Sequence, residues 1–382
     1  MRQLRPAVVA VSAVVALVAV AAAPAPAAAQ ALEAFEWRTV LFGQGGHGYQ
    51  SQDGADGEPG SQQAIIVEPL LWARLRQTPT LVHEAAVEVD IVSAASPDAI
   101  DATTSASRMN ESVALDVTHR WAHDHHGEVQ GRWGFHAEEP LRSWFWGAGY
   151  VRKLADDNFT LTVNGVISMD WFDSYGPYGD RPGLKQRHAY NGNLSVSQVL
   201  SPTTILDAAY GATFQAGLLE TTWNAVPMVG GGVAREKFPG TRLRQAATVR
   251  VSQHLPRSHT TVKASYRIYH DDFDLDAHTV QLFGYQYVTP WLYARLGYRV
   301  HHQDGASFYM DVFPDAPTGY RTSDSDLAPF TAHEVTAKLA LLADRAPFAV
   351  LGRANLDVVL GHYRRSNDLS ITWGALSLGY KF

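Results

Sequence analysis

Apolar and polar residues alternate along most of this chain with a period of two. Phe159, Leu161 and Val163 are separated by polar residues, and the same rhythm recurs over 206–218 and 262–268. Successive side chains of a β-strand point to opposite faces, so this pattern predicts strands with one apolar and one polar face. We therefore expect an all-β protein.

Turn residues divide the pattern into about sixteen predicted strands. They lie near residues 33–43, 64–76, 80–92, 110–121, 128–137, 142–154, 158–171, 187–200, 204–219, 242–255, 259–270, 277–288, 291–302, 331–343, 349–363 and 369–382. Tight turns such as 201–204 alternate with long links such as 303–330. This alternation is typical of a transmembrane antiparallel β-barrel, and an even strand number puts both termini on the periplasmic side. The first segment has the least regular pattern, which leaves fourteen strands as the alternative.

A soluble β-sandwich or propeller would also have alternating strands. The predicted strands exceed the usual length of about five or six residues, which favours the barrel. The chain ends on an alternating apolar strand with Phe382 as its last residue. This ending resembles the signal that outer-membrane proteins present to the barrel-assembly machinery, which we expect to be a partner. The aromatic residues predicted to form girdles at the lipid interfaces are Trp144, Trp146, Trp171, Trp291, Tyr293, Trp373 and Tyr380.

The first residues have the layout of a secretory signal peptide. Arg2 and Arg5 precede an apolar run over 7–23, and small residues follow up to Ala29. We predict cleavage after Ala29, export to the bacterial outer membrane, and a barrel formed by residues 30–382. An uncleaved anchor is the alternative, but the apolar run is shorter than a comfortable bilayer span.

Composition excludes several classes of protein. The chain has no Cys, so it has neither disulfides nor thiolate metal sites, and it is not a lipoprotein. Without the two arginines of the predicted signal peptide, 29 Lys and Arg face 38 Asp and Glu, a formal charge of −9. This acidic balance lacks the basic footprint of a nucleic-acid partner. Beyond residue 29 no apolar run is long enough for a membrane helix, so we expect outer-membrane lipid to contact strands. We predict no cofactor.

A specific residue pattern covers about residues 64–110. It consists of Glu68, Pro69, Asp90, Ser93, Ala95, Ser96, Pro97, Asp101, Ala102, Ser105, Ala106, Ser107 and Arg108. This pattern resembles an uncharacterised family of bacterial outer-membrane β-barrel proteins, domain of unknown function 3570. The chain departs from it at Ala94, where we would expect Gly. The resemblance implies a barrel in the cell envelope, and the family brings no known activity.

The loop after the third predicted strand is one candidate site. Its candidate residues are Ser93, Ser96, Pro97, Asp98, Asp101, Ser105, Ser107 and Arg108. The loop could enter the lumen as a constriction, or its oxygens and those of Asp90 could bind a hard cation such as Ca²⁺. We favour a structural interpretation, in which these side chains satisfy backbone groups of the loop.

Two other constellations are less specific. The imidazoles of the predicted turn 123–126 could bind Zn²⁺ or Cu²⁺, but neighbouring residues of a turn rarely converge on one ion, so we predict no metal site. A membrane-embedded hydrolase would need a serine and a histidine at the rim, and Ser93, Ser96 and His83 are the nearest candidates. A Gly-x-Ser-x-Gly motif is absent, and we predict no catalytic residue.

Charged residues on the polar faces are candidates for lining a lumen. The acidic set is Glu84, Glu88, Asp90 and Asp116, and the basic set is Arg242, Arg244, Arg250, Lys263, Arg267, Arg295 and Arg299. On separate walls these sets would produce a transverse field. We therefore predict a porin-like channel or transport component for small polar or ionic solutes. The alternatives are a lumen plugged by pairing of these charges, an envelope binding or structural protein acting through the loops 220–241 and 303–330, and the hydrolase.

Overall fold

Sixteen strands of 11 to 20 residues follow one another along the chain, each antiparallel to the next. They are β1 (Ala31–Gln50), β2 (Ala64–Thr78), β3 (Leu81–Ala94), β4 (Met109–Ala122), β5 (Gly127–Ala137), β6 (Leu141–Leu154), β7 (Phe159–Phe172), β8 (Lys185–Ser201), β9 (Thr204–Gly217), β10 (Thr241–Leu255), β11 (Thr260–Asp271), β12 (Asp276–Thr289), β13 (Leu292–Gln303), β14 (Phe330–Leu342), β15 (Ala354–Arg365) and β16 (Ser370–Lys381). The predicted all-β fold and the number of strands are confirmed.

This computed structural model describes residues 31–50, 59–94, 109–138, 141–173, 180, 183–221, 224–342, 345 and 353–381. β1 pairs with β16 from Glu36 opposite Lys381 to His47 opposite Ser370, which closes the sheet into a barrel. Closure gives each of the sixteen described strands a hydrogen-bonded neighbour on both sides, as a lipid environment requires. The described part of the chain contains no helix long and apolar enough to cross a membrane.

The end of β1 departs markedly from the predicted strand bounds. The segment from Gln44 to Gly48 is polar and rich in glycine, so it lacks the alternating pattern, yet it continues the strand. At Gly46 a Cβ atom would collide with the carbonyl oxygen of Ser370. Glycine therefore permits the close approach that extends the β1–β16 pairing.

The connections separate into two ends of the barrel. The long connections 50–64, 94–109, 172–185, 217–241 and 303–330 leave from one end, called the loop end below. Shorter turns join the strands at the other, the turn end, where the connection 342–354 is the exception in length. Both described termini lie at the turn end, as an even strand number requires.

One face of the sheet is concave and polar. Arg38 of β1 reaches Asp357 of β15 across the intervening β16, with 3.6 Å between nitrogen and oxygen. A side chain can bridge over a strand in this way only on the concave side, so this is the inner face. The opposite face carries apolar side chains such as Trp146, Leu296 and Leu360, which are 47%, 67% and 61% exposed. Such an apolar exterior is the surface that lipid covers.

Two residues predicted for the aromatic girdles face inward instead. Tyr293 lies on the inner face beneath the ammonium group of Lys338, which is 6.0 Å from its ring centroid. Trp373 stacks on Phe42, and its ring fills the space above Gly361. Trp144, Trp146 and Tyr380 do lie on the outer face, and 36% or more of each side chain is exposed.

Candidate functional site

The inner face of β10 to β13 carries a row of cations, called the basic wall below. Its members are Arg242, Arg244, Arg250, Lys263, Arg267, Arg295 and Arg299. The register between neighbouring strands puts all seven on the concave side. Three strands, β10, β11 and β13, thus present positive charge to the lumen.

Most of these cations make no ion pair within the described part of the chain. Arg242 pairs with Asp271, and Arg299 lies 3.7 Å from Glu334. The described residues offer no ion pair to Arg244, Arg250, Lys263, Arg267 and Arg295. Three of these five lie over aromatic rings at 5.1 to 5.4 Å: Lys263 over Tyr285, Arg267 over Tyr269 and Arg295 over Phe283. Cation–π contact holds each side chain in place and leaves its charge available to a solute.

The wall formed by β2 to β5 has paired charges instead. Glu84 accepts a hydrogen bond of 3.1 Å from Arg120, whose guanidinium also reaches Glu128 at 3.2 Å. Asp116 receives two hydrogen bonds from Nε of Arg132, at 2.8 and 3.0 Å. Two of the four predicted acidic residues are therefore neutralised by arginines of their own wall.

The other two predicted acidic residues lie toward the loop end. Glu88 and Asp90 of β3 join Glu68 of β2, and one carboxylate oxygen from each lies within 4.8 Å of the others. Asp90 also accepts a hydrogen bond of 2.8 Å from Ser112. Three carboxylates at this spacing repel one another. Their chemistry suits a hard cation, and this is the only such group of ligands among the described residues.

The connections at the loop end fold together above β10 to β13. This loop cap consists of residues 217–221, 224–241, 271–276 and 303–330. Its centre is formed by Phe238, Phe273 and Phe308, one from each connection, whose ring centroids are 4.9 to 5.6 Å apart. The rings pack on Tyr269 and Ala277. Because both of these residues belong to the inner face, the cap covers the mouth on the side of the basic wall.

A buried ion pair fixes the cap to the barrel. Asp271 is fully buried and accepts hydrogen bonds from Nε of Arg242 at 3.0 Å and from the hydroxyl of Tyr269 at 2.6 Å. Its other oxygen accepts from the backbone N–H groups of Phe273 and Leu275, at 2.9 and 3.3 Å. The Arg242 guanidinium in turn lies 4.3 Å from the Phe273 ring centroid. One carboxylate thus holds together the strand ends, the tight connection and the aromatic cluster.

A second buried acid joins the two longest connections of the cap. Glu236 accepts hydrogen bonds from the Thr322 hydroxyl at 2.6 Å and from the Thr221 backbone N–H at 3.1 Å. Burial, together with the nearby charge of Asp324, raises the pKa of Glu236 to about 8. Burial and the charge of Asp326 raise the pKa of Asp324 to about 6. The cap therefore contains two carboxyl groups that titrate near neutral pH.

Most of the predicted loop site lies outside the described residues. The loop residues outside the described part are Ser96, Pro97, Asp98, Asp101, Ser105, Ser107 and Arg108. The predicted signal peptide and Phe382 also lie outside the described residues. Ser93 belongs to β3, ten positions from His83 on the same strand, which corresponds to roughly 33 Å. Ser93 and His83 therefore do not form a catalytic pair.

The imidazoles of the turn 123–126 do not converge. His123 lies 3.2 Å from Asp124, whereas His126 contacts Asp157 at 3.1 Å. Asp124 binds Arg152 at 2.6 Å, and this hydrogen bond lowers the pKa of Asp124 to about 2. The turn is held by ordinary ion pairs.

Sequence reasoning missed several residues of the site. Arg120 and Arg132 share the polar face of their strands with the acids that they neutralise, so alternation alone could have placed them inward. Glu68 stands in the family pattern, but no local signal shows that it meets Glu88. Glu236 lies in a long connection without strand rhythm, and its burial depends on a partner 86 residues away.

Several solved structures are similar to this one. A bacterial polysaccharide outer membrane secretin is similar with a TM-score of 0.51 at 7% identity, over 92% of this chain and 99% of that chain. Two Pseudomonas aeruginosa structures, OccK9 (OpdG) and OpdK with vanillate, are each 11% identical and have TM-scores of 0.48 and 0.47. They cover 91% and 92% of this chain, and 98% and 99% of their own. At these identities the likeness to the secretin shows the fold alone.

Sequence comparison is more specific about the family. No curated protein sequence matches the chain. The family described as protein of unknown function (DUF3570) matches residues 18–367, which is nearly the whole chain and includes the pattern at 64–110. The chain belongs to this family of proteins of unknown function, DUF3570.

Proposed function

We propose that this protein is a porin-like channel of the outer membrane, through which small polar or ionic solutes diffuse. The observation that carries the proposal is the basic wall, where five inward cations make no ion pair with a carboxylate of the described residues. Uncompensated charge inside a low-dielectric shell is costly unless water or mobile ions solvate it. An aqueous lumen supplies both.

The pattern of ion pairs also favours an open lumen over a salt-bridged plug. Every ion pair between described barrel strands joins neighbouring strands or, for Arg38 and Asp357, strands separated by one. None of these described pairs connects the basic wall to the wall of β2 to β5. The two walls remain electrostatically distinct, and the positive one attracts anions.

We also propose how the chain reaches the membrane. The N-terminal segment directs export and is cleaved after Ala29. The apolar outward positions of β16, Leu376, Leu378 and Tyr380, lead to Phe382. This strand is recognised by the barrel-assembly machinery, which inserts the chain so that lipid covers the outer face. Replacing Phe382 by Ala is expected to slow insertion, seen as less heat-modifiable protein in outer-membrane fractions.

Planar-bilayer recordings test the channel. The refolded protein is expected to give conductance steps with a reversal potential that indicates a preference for chloride over potassium. Replacing both Lys263 and Arg267 by Glu reverses the sign of two charges on the basic wall, and it is expected to shift the reversal potential towards cation preference. The matched control is Arg257→Glu, because Arg257 is an exposed cation of the tight turn between β10 and β11.

Two outcomes would count against the proposal. A folded, heat-modifiable sample that gives no conductance would remove the channel. Conductance with a reversal potential that is equal in wild type and in the Lys263→Glu, Arg267→Glu variant would remove the basic wall from the permeation path.

A further inference from the structure

The inner face of β2 to β7 contains a recess that is separate from the basic wall. Its volume is about 390 Å³, within the range of roughly 300–1,000 Å³ usual for small-molecule sites. Gly147 and Gly149 form part of its floor, where the absence of side chains leaves the space open. Trp72 borders it, and Asn164 of β7 lies in its lining.

The charges of the recess cancel. Its lining contains two acids, Glu84 and Asp116, and two bases, Arg120 and Arg132. Each acid is hydrogen-bonded to one of these arginines, at 3.1 Å for Glu84 and 2.8 Å for Asp116. A charged or zwitterionic ligand would have to compete with these pairs for the same groups. A ligand with one charge that broke a pair would leave the other partner without a counter-ion, and a zwitterion would have to replace a pair that is already formed. Both classes of ligand are therefore disfavoured.

A hydroxyl group can join these pairs without breaking them. A carboxylate has about four acceptor positions and a guanidinium five donors, so each pair retains unused capacity. Hydroxyl groups donate and accept, and they therefore match a surface on which donors and acceptors alternate. Among the described residues the Thr118 hydroxyl and the Asn164 carboxamide make no side-chain hydrogen bond, although both line the recess. They add two adaptable polar groups.

Trp72 supplies the apolar part of the recess. Its side chain lies on the inner face of β2, opposite Ala86 of β3, which is too small to cover it. The described residues place no other aromatic ring against the indole. The Trp72 side chain is half-buried, so part of its ring remains accessible. An accessible ring face beside convergent polar groups suits a solute that has C–H groups on one face and hydroxyls at its edge.

We propose that this recess binds a neutral polyhydroxylated solute of the size of a mono- or disaccharide. Trp72 contacts the C–H face of the solute, and the Glu84–Arg120 and Asp116–Arg132 pairs hydrogen-bond its hydroxyls. Uncharged solutes would thus have a binding site inside the lumen, on the wall opposite the basic wall. The inference deepens the proposed channel function and rests on it for its biological meaning, but binding itself can be measured without any ion current.

Calorimetric titration of the detergent-folded protein with maltose, and separately with glycine and sodium acetate, tests the inference. We expect saturable binding of maltose with a dissociation constant on the order of 1 mM, and no saturable binding of the zwitterion or the anion at the recess. Gly149→Leu should lower maltose affinity about tenfold or more by filling the space. Its Cβ has room, because the nearest atom is the Asn164 Cβ at 3.4 Å.

Two further variants keep this test decisive. Gly211→Leu is the matched control, since Gly211 is an inner-face glycine of β9 outside the recess with its nearest neighbour at 3.5 Å. It should leave maltose affinity unchanged within about twofold. Trp72→Ala should lower the affinity and Trp72→Phe should recover part of it, because the ring face is restored. Heat modifiability on gels verifies that each variant is folded.

The outcomes separate this inference from the channel proposal. No maltose binding to folded wild-type protein, or equal binding by the Gly149→Leu and Gly211→Leu variants, would overturn the inference even if the channel conducts ions. Glycine binding that Gly149→Leu abolishes would overturn it in favour of a zwitterion site. Maltose binding without conductance would support the recess and contradict the channel.

Discussion

Replacing Asp271 by Asn is expected to release the loop cap while the barrel stays intact. The Asp271 carboxylate is fully buried and accepts from Arg242, from Tyr269 and from two backbone N–H groups. An amide has only one acceptor oxygen, so some of these donors lose their partner. The Arg242 side chain, only 9% exposed, would keep its charge without a counter-ion. Removing one member of a buried pair costs about 3–5 kcal/mol, and burial leaves little solvent screening to reduce that figure.

Tryptic cleavage after Lys237 reports this loss. Lys237 lies in the cap, where its backbone pairs with that of Arg321 at 2.9 and 3.1 Å, so cleavage requires local opening. When opening is fast relative to cleavage, the cleavage rate follows the population of the open form. A loss of 3–5 kcal/mol raises that population by about two to nearly four orders of magnitude, up to the rate of a fully open loop.

Asp276→Asn is the matched control, because the Asp276 side chain is 56% exposed and pairs only with the exposed His270 among the described residues. Its effect on cleavage should stay within about twofold, as expected for a surface ion pair. Equal cleavage rates in the two variants, or a rise of less than about tenfold in the Asp271→Asn variant, would refute the anchoring role. Heat modifiability should be unchanged in both, since barrel strands hold the rest of the fold.

Three further predictions concern the cap, the acidic cluster and the lipid face. Because the pKa of Glu236 is raised to about 8 from 4.5, the stability that its neutral form contributes is complete below about pH 4.5 and is lost as the pH rises towards 8. The rate of tryptic cleavage in the cap, divided by the rate in the Glu236→Gln variant at the same pH, should therefore increase over that window. A ratio that does not change with pH would refute this. Glu88→Gln relieves repulsion from Glu68 and Asp90 and should raise the free energy of unfolding in urea by about 0.2–1 kcal/mol, whereas a decrease would show that the third charge is needed. Leu282→Arg puts a charge on the outer face of β12 and should lower the free energy of unfolding by about 2–4 kcal/mol in the same assay, while Gln281→Arg on the inner face of that strand should lower it much less. Similar losses would contradict the assignment of faces.

The strands were predictable because their pattern is local. Burying one face against lipid and solvating the other imposes a period of two, and this signal located all sixteen strands to within a few residues except at the end of β1 and the start of β15. Parity could have corrected the aromatic girdle as well. Tyr293 has the same parity as Arg295, which the sequence places inward, so its inward position follows from the same alternation.

Contacts that depend on register or on distant segments were not predictable. The pairing of Asp116 with Arg132 requires knowing that β4 and β5 align these two side chains, and no single-strand pattern fixes that alignment. The loop cap is further removed from local signals. Phe238, Phe273 and Phe308 come from three connections whose sequences give no indication that their rings will meet.

The basic wall and the loop cap are built on adjacent segments, yet their charges act through different physics. Lys263 and Arg267 face the lumen, where the proposed channel would expose them to mobile ions, whereas Glu236 is buried between two connections of the cap. We therefore expect a double dissociation in bilayer recordings. The Lys263→Glu, Arg267→Glu variant should change the reversal potential and keep the wild-type dependence of conductance on pH. Glu236→Gln should change the dependence of conductance on pH and keep the wild-type reversal potential, because it removes a titrating group from the cap and leaves the basic wall intact. If either variant changed both properties, the loop cap and the basic wall would have to be coupled to each other.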